Sequence, residues 1–354
     1  MGRNARQKAG QETAQKVGRS IGSLALALLA AVCVLGCKKD PCGVVIYTYV
    51  DQTFSEPAIQ SFERQTGLKV CASYSSFEIK ASGILQRILS EKDHPSADVL
   101  WADDPIRPFL LTDRGLIEPY SSPQAEGVPA AFKDPNGLWT GVGAQARVLL
   151  VNTKLVPEKA RPTSIRSLAE PRWKKRIAIP NPLHGTTLVQ LAALSAHWGE
   201  KETQDFLDAL RVNEVKIATT SWDVMQLVVK GEVAFGLTNT DHADGALASG
   251  APVAMVYPDQ EPNGLGTLVL PTSVLLIRGG PHPQAARRLI DHLLSPAVET
   301  ALCKSGTYFP LRAGATLPDG MRRIEDIRAM PLDFAKSGEG IERIKPWIEH
   351  WLGR

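Results

Sequence analysis

Five short polar segments carry the side chains with chemistry to offer. They are Tyr49-Val50-Asp51-Gln52, Ser75-Ser76-Phe77-Glu78, Asp103-Asp104, Leu183-His184-Gly185-Thr186-Thr187 and Asn239-Thr240-Asp241-His242. Asp51, Asp103, Asp241 and His242 are hard oxygen and nitrogen donors. Such donors suit iron, manganese or magnesium, and equally an ammonium group on an organic ligand. Gly185-Thr186-Thr187 at the head of a helix would offer free backbone N–H groups, two hydroxyls and the positive end of the helix dipole, which is an anion site. Arg147 could pair with that anion or with one of the acids, and Gln52, Glu78 and Asn239 complete the candidate ligand-binding set. Each residue alone has a plainer reading. Aspartates and Thr186 cap helices, Arg147 makes a structural ion pair, and the neighbouring Trp222 and Tyr257 pack a core.

Catalysis is poorly served by this inventory. The body of the chain beyond residue 36 contains no GxSxG, no Walker A, no HExxH and no GxGxxG after a strand. Asp103 and Asp104 are adjacent, and adjacent carboxylates rarely aim across one glycosidic bond. The expectation is therefore a binding protein, not an enzyme, with no resident cofactor. Charge removes a further class. Of 40 basic and 37 acidic residues, residues 1–36 hold Arg3, Arg6, Lys8, Lys16, Arg19 and Glu12, which leaves 35 against 36 in the body. A nucleic-acid partner would need a basic face that this balance does not supply.

The elements that must position these segments alternate. Val44–Tyr49 is a β-branched and aromatic run, followed by a helical pattern from Ser55 that Gly67 ends, then a strand at Leu68–Ala72. A helix through Gly83–Leu89 leads to a strand at Asp98–Trp101. A second region repeats the scheme, with strands at Arg147–Val151, Arg176–Ile179, Glu232–Leu237 and Val253–Tyr257 and a helix from Thr186. Leu268–Leu270 and Val274–Ile277 return the chain to the first region, and helices at Pro283–Leu294 and Ile341–Leu352 finish it. Strand–helix–strand alternation implies βαβ units and parallel sheets, with ligands beyond the carboxyl ends of the strands. A length of 354 residues with 44% hydrophobic and 22% charged side chains fits about two globular domains. No solenoid repeat, low-complexity tract or long linker interrupts them.

The N-terminal segment reads as an address. A basic stretch precedes the uncharged apolar run Ile21–Leu35, too short for a comfortable span of about 20 residues and fitting a secretory h-region. Val34-Leu35-Gly36-Cys37 resembles a bacterial lipobox, which implies lipidation of Cys37 and removal of residues 1–36. Lys38 after it slightly favours the outer membrane if the cell is Gram-negative. Cys42, Cys71 and Cys303 then remain in an oxidising compartment, where Cys42 and Cys71 could bridge or Cys71 could be a small buried apolar side chain.

Three segments resemble the family-1 extracellular solute-binding proteins of ABC importers, near the iron(III)-binding branch. They are VVIYTYVDQTFSEPAIQSFERQTGLKV, ARVLLVNTKLVP with SLAEPRWKKRIAIPNPLHGTT, and VVKGEVAFGLTNTDHADGALASGAPVAMVYPD. The resemblance implies an α/β, two-lobe periplasmic-binding-protein fold, type II-like, with parallel-type sheets flanked by helices around a hinged cleft. Lobe one would be 43–143 plus 273–354, and lobe two 144–272. It also implies a periplasmic, lipid-anchored monomer that hands its ligand to a permease and ATPase. In the iron branch the ligands are a His, a Glu and a Tyr-Tyr pair. Asp51, Asp103, Asp241 and His242 stand at those positions, and the tyrosine pair is missing. The cargo implied is iron(III) or another metal with a synergistic anion. The alternatives are a small organic anion such as a phosphonate or carboxylate, or a sensor that reports its ligand to a signalling partner.

Overall fold

The computed structural model describes residues 42–75, 78–304, 308–314 and 322–353, with the side chains of 78–82 left aside. The expected leader at 1–36 and the expected lipidation site Cys37 lie outside the described residues. β1 (Val44–Thr48) leads into α1 (Gln52–Thr66), whose first turn is capped by the Asp51 carboxylate accepting from the Thr53 N–H at 2.8 Å. Gly67, at φ 69°, ends α1 in the left-handed conformation that a glycine adopts without penalty. β2 (Val70–Tyr74), α2 (Glu78–Ser90) and β3 (Val99–Ala102) follow, and β2, β1 and β3 pair in parallel. Cys42 and Cys71, at the start of β1 and β2, are disulfide-bonded. Cys303 is a free buried thiol, pushed up to about 12 by burial and by Glu299.

A short α3 (Phe109–Asp113) and β4 (Ile117–Glu118) precede β5 (Thr140–Asn152), the strand on which the architecture turns. Next come β6 (Ile177–Pro180), α4 (Gly185–Trp198), α5 (Glu200–Val212), β7 (Lys216–Ala218) and α6 (Ser221–Val229). β8 (Phe235–Asn239), α7 (Thr240–Ala248), β9 (Val253–Val256) and β10 (Val269–Ile277) complete this half. Residues 140–146 of β5 pair antiparallel with β10. From Arg147 onward the same strand pairs antiparallel with β8 and β9. One long strand thus belongs to two sheets, and the strand order β2-β1-β3-β10-β5-β8-β6-β7 runs unbroken across both. Each half keeps a parallel core, and the antiparallel members are the strands that cross between them. The two returning segments expected near 268–277 form a single strand, irregular between Pro271 and Ser273.

Burial follows the alternation. One face of the first sheet packs Ala58, Ile59 and Phe62 of α1 against α8 (Pro283–Leu293) and α9 (Pro296–Cys303), and the other face carries Ile84, Leu85 and Ile88. In the second half, Gly236 of β8 lets α6 sit close, because a Cβ there would lie 2.4 Å from Val224 Cγ1 and 2.8 Å from the Ala178 carbonyl. The last helix, α10 (Phe334–Trp351), was grouped by sequence with lobe one. Its Ile341, Ile344 and Ile348 instead pack with Leu188, Leu191, Phe206 and Leu210 of α4 and α5. An apolar stripe at i, i+3 and i+7 demands a partner without saying which surface supplies it.

Candidate functional site

The switch in β5 places Arg147 opposite Asn239 at the end of β8, in the centre of the second half. Its side chain is almost wholly buried, with 1% exposed. One guanidinium nitrogen, NH1, donates to Asn239 Oδ1 at 2.6 Å, Thr186 Oγ1 at 2.9 Å and Ser221 Oγ at 3.3 Å, and NH2 donates to Thr187 Oγ1 at 3.1 Å. The Thr186 hydroxyl passes its own proton to Asn239 Oδ1 at 3.1 Å. These partners head three helices. Thr186 and Thr187 open α4, Ser221 opens α6, and Asn239 is the cap residue of α7. Thr186 is therefore not a helix cap; His184 holds that position. Gly185, at φ 56°, supplies the turn that brings both threonines inward. Helix N-termini expose unpaired backbone donors and positive potential, and a buried guanidinium adds a full charge. The Thr187 hydroxyl, which accepts from the arginine, still has a proton to give. Donors and positive potential are thus concentrated at one buried place.

The acidic side is organised differently. Asp51 is exposed and occupied with its own helix. Asp103 stands 3.5 Å from Arg107 NH2, while Asp104 is fully buried and accepts from the Ile106 and Arg107 N–H groups and from Arg107 Nε at 2.6 Å. Asp104 is thus structural and Asp103 is the outward partner. Asp241 accepts from the His242 N–H at 2.8 Å, with His242 Nδ1 3.8 Å from its other oxygen. Gln52 bonds Glu56 at 2.9 Å along α1, and the Glu78 side chain lies outside the described residues. Tyr308 is a buried phenol hydrogen-bonded with Gln145 of β5. Burial raises it well above its ordinary value, and Asp103, Asp241 and Asp51 each raise it further. Carboxylate charges from both halves thus act on one buried phenol, while the hydrogen bond described for it is with Gln145. Among the described residues no three His, Cys, Asp or Glu side chains stand together closely enough to hold a metal ion. Asp51, Asp103, Asp241 and His242, expected as metal ligands, are thus not brought together as a metal centre among the described residues.

Four contributors escaped the sequence reading. Ser221 had a legible signal, since Thr220-Ser221-Trp222-Asp223 is a capping box and the structure closes it in both directions. Asp244 lies one turn beyond Asp241, and burial followed by the Asp241 charge lifts its carboxyl to about 7. It in turn helps raise Tyr257 to about 12, where burial is the larger cause and Arg322, 5.0 Å over the ring, opposes it. Gln145 and Tyr308 had no local signal, because their meeting depends on the antiparallel bridge between Ala144 and Phe309. Trp222 is half exposed at the head of α6, so its expected alternative as a core side chain does not hold.

With this geometry in hand, comparison with known proteins is informative. Residues 95–336 match the family model of bacterial extracellular solute-binding proteins. Iron uptake protein A1 of Synechocystis sp. is 28% identical over 292 residues, covering 79% of each chain. The iron-bound HitA structure from Pseudomonas aeruginosa superposes with a TM-score of 0.77 at 24% identity, over 88% of this chain and 99% of that one. AfuA from Actinobacillus pleuropneumoniae, with fructose 6-phosphate bound, gives 0.74 at 24% identity, over 88% and 97%. The two-lobe α/β fold is common to all of them, and no helix among the described residues is long and apolar enough to cross a membrane. The chain is a member of the bacterial extracellular solute-binding protein family.

Proposed function

We propose that this chain is the solute-binding component of an ABC-type importer, capturing iron(III) or another hard metal cation together with an anion in the cleft between its halves. The observation that carries this reading is the division of charge. A buried arginine sits under three helix N-termini, where an anion would be received, and the charges of Asp51, Asp103 and Asp241, drawn from both halves, all act on the buried Tyr308. Relatives that take up iron support the choice of cargo. In this reading the lobes, 43–143 with the return from 273 and 144–272, close about β5 and β10, and closure gathers the acids and His242 on the metal. The mature monomer is tethered in the periplasm through a lipidated Cys37, with the outer membrane slightly favoured in a Gram-negative cell, and it delivers its cargo to a permease and ATPase.

A second reading has its own support. The anion side is assembled and the acidic side is not, which favours a small organic anion such as a phosphonate or carboxylate; AfuA carries a sugar phosphate on the same fold. Calorimetric titration of the chelator-stripped chain separates the two. Iron(III) supplied as its citrate complex should bind once per chain, with metal analysis recovering one iron. Saturable binding of 2-aminoethylphosphonate without metal, and none of iron, overturns the metal reading and establishes the second.

A further inference from the structure

The two halves touch at a place far in sequence from β5 and β10. α10 packs on α4 and α5, yet its first turns reach the other half. Phe334 stacks edge-on against Trp139, with ring centroids 5.0 Å apart at 72°, and packs against the cores of both halves. One turn later Gly338 is pressed on Phe109 of α3. A Cβ at 338 would lie 2.4 Å from Phe109 Cβ and 2.5 Å from its Cγ, distances at which something must move. The atoms met are the root of the phenylalanine, not its free end, so a rotamer change alone does not relieve them. Cavities flank this joint on either side. One of about 770 Å³ is lined in part by Phe109, Trp139 and Phe334, and one of about 360 Å³ by Phe109, Leu188 and Gly338. Ser337 beside it is fully buried with a hydroxyl that has no hydrogen-bond partner among the described residues. A tight contact between loosely filled spaces can be made and broken without dismantling either core.

We propose that Gly338 and Phe109 are positioning residues that set ligand affinity by deciding how far the two halves close, without touching the ligand. The joint holds α10, packed on α4 and α5, against Phe109 and Trp139 of the other half. Glycine at 338 permits that approach, and any side chain there holds the halves apart. This rests on the reading of a cleft that closes on its ligand.

Gly338→Ala is the direct test, because alanine favours helix and adds only the Cβ. The variant should show a larger radius of gyration than wild type by small-angle scattering before any ligand is added. Its affinity for iron(III) citrate, or for 2-aminoethylphosphonate if that is the ligand wild type binds, should fall about tenfold. Adding Phe109→Ala to Gly338→Ala removes the obstructing ring and should return both quantities toward wild type. An unchanged radius in Gly338→Ala overturns the proposal, and so does a loss that Phe109→Ala fails to relieve while circular dichroism shows an intact fold. If wild type binds neither probe, the functional reading fails, and the scattering comparison still decides this one.

Discussion

The two sides of the site are made of similar numbers of polar groups and have opposite states of preparation. Arg147 is buried and bonded to four side chains from three helices, all of which must be in place for the second half to pack. The acids are partly exposed, and the nearest partner of each is on its own segment: Asp51 with Thr53, Asp103 with Arg107, Asp241 with His242. A charge fixed by buried hydrogen bonds stays where the fold puts it, whereas a carboxylate in contact with water keeps its options. The difference teaches that the arginine side is part of the core, whereas on the proposed reading the acidic side is completed by what binds.

The largest effect should come from Arg147→Met. It removes the guanidinium donor from the Thr186, Thr187 and Ser221 oxygens in a buried place and leaves Asn239 Oδ1 with the Thr186 hydroxyl alone. Hydrogen bonds to a charged group contribute about 1.5–3 kcal/mol each. Anion affinity should therefore fall at least about a hundredfold, and urea unfolding should show a loss of about 3 kcal/mol. Equal binding by the variant would remove the distinction drawn between the two sides.

Asp241→Asn sharpens the same contrast. It should weaken a cation-bearing ligand by about tenfold to a hundredfold while leaving the unfolding midpoint nearly unchanged. A destabilisation as large as that of Arg147→Met would mean that the acidic side is also core.

The smallest effect is a pH dependence. The Asp244 carboxyl titrates near 7 in the folded chain, against 3.8 ordinarily, because it is partly buried beside Asp241. Between those values the folded state holds a proton that the unfolded state has lost. This group's contribution to stability is therefore greatest below its ordinary value and is lost as pH rises toward 7. Asp244→Asn should remove that slope and be more stable than wild type above pH 7, by about 1–2 kcal/mol once residual solvation is allowed for. Urea titrations of both chains at pH 5 and pH 8 decide it, and parallel slopes would place Asp244 in ordinary solvent.

Much of this fold is written locally. The β-branched run at Val44–Thr48, the glycine stop at Gly67 and the turn at Gly185 each act within a few residues, and the elements form where those signals stand. The same holds for the candidate site where its members sit at strand ends, as Asp103 and Asn239 do. Ser221 could have been found from its capping box. The threonine pair stood out in the sequence as polar groups opening a helix, and the structure gives them Arg147 as their direct partner.

Amino-acid order alone determined the alternation of strands and helices, the polar loops at their carboxyl ends and the near-neutral body, because propensity, capping and charge are properties of short stretches. Only the tertiary structure decided that β5 would change partners at Arg147, that Tyr308 would meet Gln145 of β5, and that α10 would cross back to α4. Those outcomes turn on which apolar faces find each other. Several faces of similar width compete for that burial, and it is settled by the packing of the whole chain at once.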